Sequence, residues 1–400
     1  MYKLVRRLLV LGFFSLSVAW AADWPHFLGP NADGISPETG INKDWKAKPP
    51  KELWRIELSD DGYAGPSVAA GKLYIVDHKG AQDIVRAVDV STGKDVWAFS
   101  YPDPAKANYG FTRATPTWEN GKVYTYSRYG VAHCLDAEKG DKIWSRDVKR
   151  ECKGKYGGWE YAGSPVLDGE KLVLPLGGAG DVAVLNKATG QTVWTGGGND
   201  EAGYATPVIA SLGGKKQYVV FNGLALVGVD GEAAGPPLWR FPWQTQYNVN
   251  AATPRVIEST IFITSDYNHG CALISVADGK AAAVWQNASL DAHFNTPILC
   301  GGYLYGIGNR NGLLCLEPKT GKMPWNHPGF EKGGLIGIDG VLIAVCGGSG
   351  EVVMAKIDPA AYQELGRIKP LGGQSWTAPI AADGKLYIRN RTALVCLDLK

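Results

Sequence analysis

Apolar residues fall in runs of three to six along most of the chain, and glycine-bearing polar turns separate the runs. The stretch from Asn295 to Trp325 shows the unit most plainly. Ile298 to Cys300 leads through Gly301-Gly302 into Tyr303 to Ile307, and the polar segment Gly308 to Gly312 precedes Leu313 to Glu317. A turn from Pro318 to Lys322 then leads to a strand carrying Trp325. Four short strands so closely spaced form an antiparallel meander, and a lone sheet with two apolar faces needs neighbours to cover them.

The unit recurs. A Thr-Pro or Ser-Pro pair opens it at Pro116, Pro165, Pro207, Pro254 and Pro297, with variants at Pro66 and Pro379. Its last strand carries Trp97, Trp144, Trp194, Trp239, Trp285 or Trp325, at successive spacings of 47, 50, 45, 46 and 40 residues. Four strands at that period predict a β-propeller and not a helical solenoid. The unit over 335–368 lacks both Pro and Trp, and Leu365 is expected at the Trp position. The final unit, Ala378 to Lys400, holds only three strands, while an orphan strand, Leu53 to Leu58, stands near the N-terminus. The expected fold is therefore all-β: an eight-bladed propeller of four-stranded antiparallel blades, closed by the N-terminal strand completing the last blade. Trp54 should then dock beside Leu386 and Cys396.

Residues 1–21 carry Lys3, Arg6 and Arg7 before an apolar run, Leu8 to Val18, and end in Ala19-Trp20-Ala21. This is the pattern of a signal peptide cut after Ala21, with an apolar run too short to span a bilayer. A periplasmic or secreted protein with no membrane span is expected. Residues 22–50 form a polar leader expected to strap across the ring with Trp24 and Phe27 docked in grooves, and 51–400 a single propeller domain. The 41 Lys and Arg stand against 39 Asp and Glu, so loss of the three basic leader residues leaves a nearly neutral chain. No basic run points to nucleic acid.

Seven cysteines in an exported protein raise the prospect of disulfides. However, Cys134, Cys315 and Cys396 occupy equivalent positions in different units, which keeps them apart and marks them as small buried apolar residues. Cys300 and Cys315 share a blade, leaving one pairing open. No Cys-x-x-Cys pair, haem-attachment motif or zinc-type cluster is present, nor any nucleotide-loop, hydrolase-elbow or metalloprotease motif.

Chemistry is expected on the rim where loops vary. Residues just before each first strand should crowd the channel mouth: Tyr63, Arg113, Trp159, Glu160, Tyr161, Glu201, Tyr204, Tyr247, Asn248, Asn250, His293, Phe294, Asn295 and Trp376. Aromatics, amides, two carboxylates, one Arg and one His suit a flat or polyhydroxylated ligand bound by stacking and hydrogen bonds. The loops between second and third strands add Asp77-His78-Lys79, Asp266 to His269 and Asn309-Arg310-Asn311. No catalytic residues are assigned.

The segment Val88-Asp89-Val90-Ser91-Thr92-Gly93-Lys94-Asp95-Val96-Trp97 resembles the tryptophan-docking repeat of the PQQ-like (quinoprotein-type) eight-bladed propellers. So do Cys134 through Trp144 and Leu316 through Trp325. The resemblance runs from Glu52 to Lys400 and gives Trp54, Trp97, Trp144, Trp194, Trp239, Trp285 and Trp325 a structural docking role. The leader, from Asp23 to Ser36, is similar to the opening of exported PQQ-repeat proteins of uncharacterised role. Two branches of the family imply different functions. Quinoprotein dehydrogenases hold PQQ with calcium or a lanthanide and set adjacent cysteines over the quinone; no two cysteines are adjacent in this chain. Glu160 or Glu201 with Asn248 or Asn250 would then have to supply a cation site. The outer-membrane barrel assembly propeller lipoprotein is a non-enzymatic relative that binds its partner through rim loops, but the lipid-bearing cysteine of that branch is missing from this chain. The resemblance and the residues together lead to an exported, non-enzymatic, monomeric propeller. It would bind an envelope protein, a surface polymer or a small ligand without a cofactor. The alternative is a PQQ- and calcium-dependent alcohol or sugar dehydrogenase.

Overall fold

A computed structural model describes residues 22–103 and 109–400. The expected signal peptide lies outside the described residues. Among the described residues eight sheets follow one another along the chain, seven of four antiparallel strands and one of five. In the sixth blade the strands are Ile298–Cys300, Tyr303–Gly308, Gly312–Leu316 and Trp325–His327, within a residue or so of the sequence expectation. Closure also follows expectation. Glu52–Glu57 pairs antiparallel with Ala393–Asp398, setting Trp54 opposite Cys396, and the Trp54 ring lies 5.8 Å from that of Tyr387.

A repeated contact holds neighbouring blades together. The indole N–H of Trp54 donates to the Val90 carbonyl in the next blade at 3.0 Å; Trp97 does the same to Ala137 and Trp144 to Lys187, both at 3.0 Å. The ring then lies against the glycine of the receiving turn. At Gly140 a Cβ would sit 2.6 Å from the Trp97 ring, and its φ of +76° would strain any side chain. The Asp that opens the turn has its own task. Asp89 accepts the backbone N–H groups of Ser91 and Thr92 and both their hydroxyls, which holds its carboxyl below the usual range. The Asp-x-x-Thr-Gly pattern is therefore a preformed socket for the preceding blade's tryptophan.

Three blades depart from the repeat. In blade three Trp194 stacks on Tyr218 of the next blade at 6.1 Å in place of the indole hydrogen bond. Trp239 turns back onto its own blade, donating to the Gln217 side chain at 2.7 Å. In blade seven, Leu365 is only partly buried; Trp45 from the leader, 2% exposed, packs its Cβ 2.5 Å from where a Gly366 Cβ would lie. A residue remote in sequence thus covers the seam that the missing tryptophan leaves.

The leader is built into the propeller. Trp24 exchanges two backbone hydrogen bonds with Val68 in blade one, at 2.7 and 2.8 Å, and the Pro25 carbonyl accepts from Trp118 in blade two. The chain then crosses the channel through Phe27 and Leu28. On the far side the Ala32 carbonyl accepts from Arg255 at 2.9 Å, and Ile35–Ser36 pairs parallel with Gly337–Ile338 as the fifth strand of blade seven. All seven cysteines are free and buried, Cys300 and Cys315 included. One helical turn, Val148–Glu151, interrupts the all-β pattern in a blade connection. No helix among the described residues is long and apolar enough to cross a membrane.

Candidate functional site

The Thr-Pro pairs explain the channel wall. The backbone N–H of Thr115 donates to Ser164 Oγ at 3.0 Å and that of Ser164 to Thr206 Oγ1 at 2.9 Å. Thr206 then donates to Thr253 at 3.2 Å and Thr253 to Thr296 at 3.1 Å. A ladder of hydroxyls therefore links blades two to six around the axis, and the proline after each step has no N–H to satisfy. It ends where Gly334 and Gly65 replace the hydroxyl residues. At Gly334 a Cβ would fall 2.3 Å from Ala378 Cα, so no side chain fits.

Above this ring a collar of aromatic side chains surrounds the mouth. Tyr63 stacks on Trp376 at 5.3 Å and 18°, and Trp376 meets Phe294 at 5.3 Å. Phe294 is followed by His293 at 4.9 Å and Tyr267 at 5.4 Å. Tyr267 meets Tyr247 at 5.3 Å, Tyr247 meets Trp159 at 6.2 Å, and Trp159 meets Tyr109 at 6.3 Å. Gly110 completes the circuit against the Tyr63 ring. Collar, hydroxyl ring and leader enclose a cavity of about 620 Å³, within the range of small-molecule sites. Arg113 and Lys332 line it, and among the described residues no Asp or Glu does.

Nine of the sequence candidates line this cavity: Tyr63, Arg113, Trp159, Tyr204, Tyr247, His293, Phe294, Asn295 and Trp376. The other five are placed elsewhere. Glu160 stands behind Arg113, 2.8 Å from its guanidinium. Glu201 accepts from the Asn248 amide N–H at 2.8 Å. Asn250 is fully buried, donating to the Asn222 and Trp243 carbonyls and accepting from Ser265. Tyr161 is buried with its hydroxyl on the Leu176 carbonyl at 2.6 Å. Sequence reasoning missed Lys332, whose ammonium lies 5.5 Å over the Trp376 ring, and gave Phe27 a groove instead of the channel. Lys332 sits in the blade that has lost its repeat markers, so nothing in the sequence aligned it with the mouth.

His293 Nδ1 is 3.4 Å from the Asp266 carboxylate without hydrogen-bond geometry; burial and the Lys332 charge pull its imidazole down to about 4. It is therefore neutral at pH 7. Asn295, 5% exposed, has no partner among the described residues for either end of its amide.

A second polar cluster lies between blades one and two. His78 Nδ1 is 2.8 Å from Asp83, its Nε2 2.9 Å from the Gly80 carbonyl, and Arg128 grips Asp103 through two nitrogens. Asp77-His78-Lys79 thus belongs to a long second strand, Lys72–Lys79, and not to a loop. Burial, reinforced by the Asp103 charge, pushes the Asp83 carboxyl up to about 6. Since Nε2 faces an acceptor and must carry a proton, Asp83 and His78 share the proton between Oδ1 and Nδ1. His78, Asp83 and Asp103 are the one group among the described residues where three metal-type donors converge. The guanidinium on Asp103 and the bonds already made by both His78 nitrogens suit an ion-pair network better than a cation site.

The family described as outer membrane protein assembly factor BamB matches residues 81–327. The chain belongs to this family. Its eight PQQ-type repeat blades are also found in dehydrogenases. BamB of Moranella endobia is 21% identical over 307 residues, 69% of this chain and 71% of that protein. The quinohemoprotein alcohol dehydrogenase ADH-IIG of Pseudomonas putida is 27% identical over 152 residues, but that match spans 35% of this chain and only 20% of the enzyme. The solved BamB of Moraxella catarrhalis superimposes with a TM-score of 0.63 at 16% identity, covering 87% of this chain and 99% of that one. The likeness to both groups establishes the fold and leaves the activity open.

Proposed function

We propose that this protein is a non-catalytic binding propeller of the cell envelope, exported as a soluble chain and using its loop-bearing rim and channel mouth to hold a ligand or partner. The observation that carries this reading is the mouth itself: a continuous aromatic wall whose lining, among the described residues, includes no carboxylate and no nucleophile paired with a base. The family relation to proteins named for outer membrane assembly supports the envelope setting.

The dehydrogenase reading requires a quinone with a divalent cation beside it. The mouth residues do not fit that pair. Glu160 is engaged by Arg113, Glu201 by the Asn248 N–H, and the Asn250 oxygen by Ser265, and none of the three is among the residues that line the cavity. All seven thiols are buried away from the mouth as single cysteines. The test is dye-linked oxidation of primary alcohols and aldoses by the purified protein supplied with PQQ and calcium. No turnover is expected; sustained turnover above a heat-inactivated control would overturn the reading.

A further inference from the structure

Away from the mouth, on the seam where the ring closes, Glu38 is 6% exposed. Its Oε1 accepts the Ala22 backbone N–H at 2.9 Å, and its Oε2 accepts that of Gly384, in the first turn of blade eight, at 2.9 Å. Among the described residues no Lys, Arg or His lies within ion-pairing distance of it. A carboxylate so deeply buried is rarely left without a cation. The nearby carboxylates have other partners: Asp383 is 2.5 Å from the Lys385 ammonium, and Asp23 accepts the Ala70 N–H at 3.4 Å. The nitrogen on Glu38 also has a special place in the sequence. It follows Ala19-Trp20-Ala21, whose small residues end the signal-peptide pattern.

We propose that the mature chain begins at Ala22 and that its new α-ammonium forms a buried ion pair with Glu38, so that removal of the leader peptide completes the closing seam. Hydrolysis of the Ala21–Ala22 amide by a signal peptidase consumes one water, leaving a carboxylate on Ala21 and a primary amine on Ala22. With an ordinary α-amino value of about 8, that amine carries a proton at pH 7. A neutral N–H donor at Glu38 thereby becomes a cation with three donors. The end is already held in place. The Ala22 carbonyl accepts from Asp383 in blade eight at 3.3 Å, and two residues on Trp24 pairs with Val68 in blade one. The pair therefore ties the leader, the last blade and the first together, and the seam reaches full strength only after processing. The proposal goes beyond the binding reading and rests only on its export part.

The test has two stages. The full chain is produced in a bacterium with its own first 21 residues, and the exported protein is weighed intact; a chain beginning at Ala22 is expected. An unprocessed, unexported chain would overturn the proposal together with the export reading, and an exported chain beginning elsewhere would overturn the proposal alone. The Ala22 chain is then compared in urea unfolding with one carrying Gly-Ser ahead of Ala22, which keeps the N–H and loses its charge. With Glu38 present, the extension should lower the folding equilibrium constant about tenfold or more. With Glu38→Gln it should lower it less than about twofold, since the charge has lost its partner. An equal cost in both backgrounds, or none in either, would overturn the ion pair. Should Glu38→Gln not fold, the mature protein decides. NMR titration of its ¹³C-methylated terminus should place the α-amino pKa above about 8, and an ordinary value would overturn the pair.

Discussion

The molecule carries two belts of aromatic residues that behave differently. In the outer belt, Trp54, Trp97 and Trp144 are each less than a tenth exposed, with an indole N–H on a neighbouring carbonyl and a ring against a glycine. In the inner belt, Tyr109 is 68% exposed and Tyr247 52%, and the rings meet one another around open space. Each of these three indoles satisfies the N–H it buries. The inner belt leaves an amide and several hydroxyl protons unpartnered among the described residues. Saturated contacts of one kind, repeated, build a scaffold; unsaturated contacts on a rigid wall are what a ligand completes.

Substitutions can sharpen or break this contrast. Trp54→Ala removes the closing contact and should cost about 4 kcal/mol in urea unfolding; a loss below about 1 kcal/mol would show that closure does not depend on it. His133 has a different effect. It is 3% exposed with both ring nitrogens unpartnered among the described residues, and burial pulls it down to about 4. A depressed imidazole stabilises the fold above the unfolded value of 6.5, and that contribution is lost as pH falls towards 4. His133→Phe should therefore flatten the acid-side fall in stability by about 3 kcal/mol across that window. Asp83 works in the opposite sense, favouring the fold at low pH and losing that contribution as pH rises through about 6. Asp83→Asn should then steepen the wild-type acid-side fall, and an unchanged pH–stability curve would refute the shared-proton description.

Gly140→Ala pushes a methyl into the Trp97 ring at positive φ and should cost about 2 kcal/mol by chemical denaturation. At the inner ring, Thr206→Val leaves the Ser164 N–H without its acceptor for about 1 kcal/mol. Trp376→Ala should cost a similar amount or less, about 1 kcal/mol, while abolishing ligand binding at the collar. If Trp376→Ala were as destabilising as Trp54→Ala, the two belts would be one structural system.

The sequence made the scaffold readable because its rule is local. Asp, Thr, Gly and Trp fall within ten residues, as in Asp89 to Trp97, and each has a contact that only that residue type makes. Closure through Trp54 was readable by the same rule. What escaped depends on contacts remote in sequence. Trp45 covers blade seven from a leader without periodicity, Ile35–Ser36 adds a fifth strand to the same blade, and Lys332 reaches the mouth from its unmarked segment. The mouth was only half readable. Position before each first strand selected Trp159, Asn295 and Trp376 correctly as lining residues, but gave no way to see that Tyr161 and Asn250 turn away into the blades.

The most direct test of a cation-free binding mouth is a calorimetric titration of the mature protein with PQQ, in EDTA and in excess calcium. The account predicts that any affinity for the quinone is the same in both buffers within about twofold. A tightening of tenfold or more with calcium would mean that the mouth assembles a cation site after all, and would contradict it.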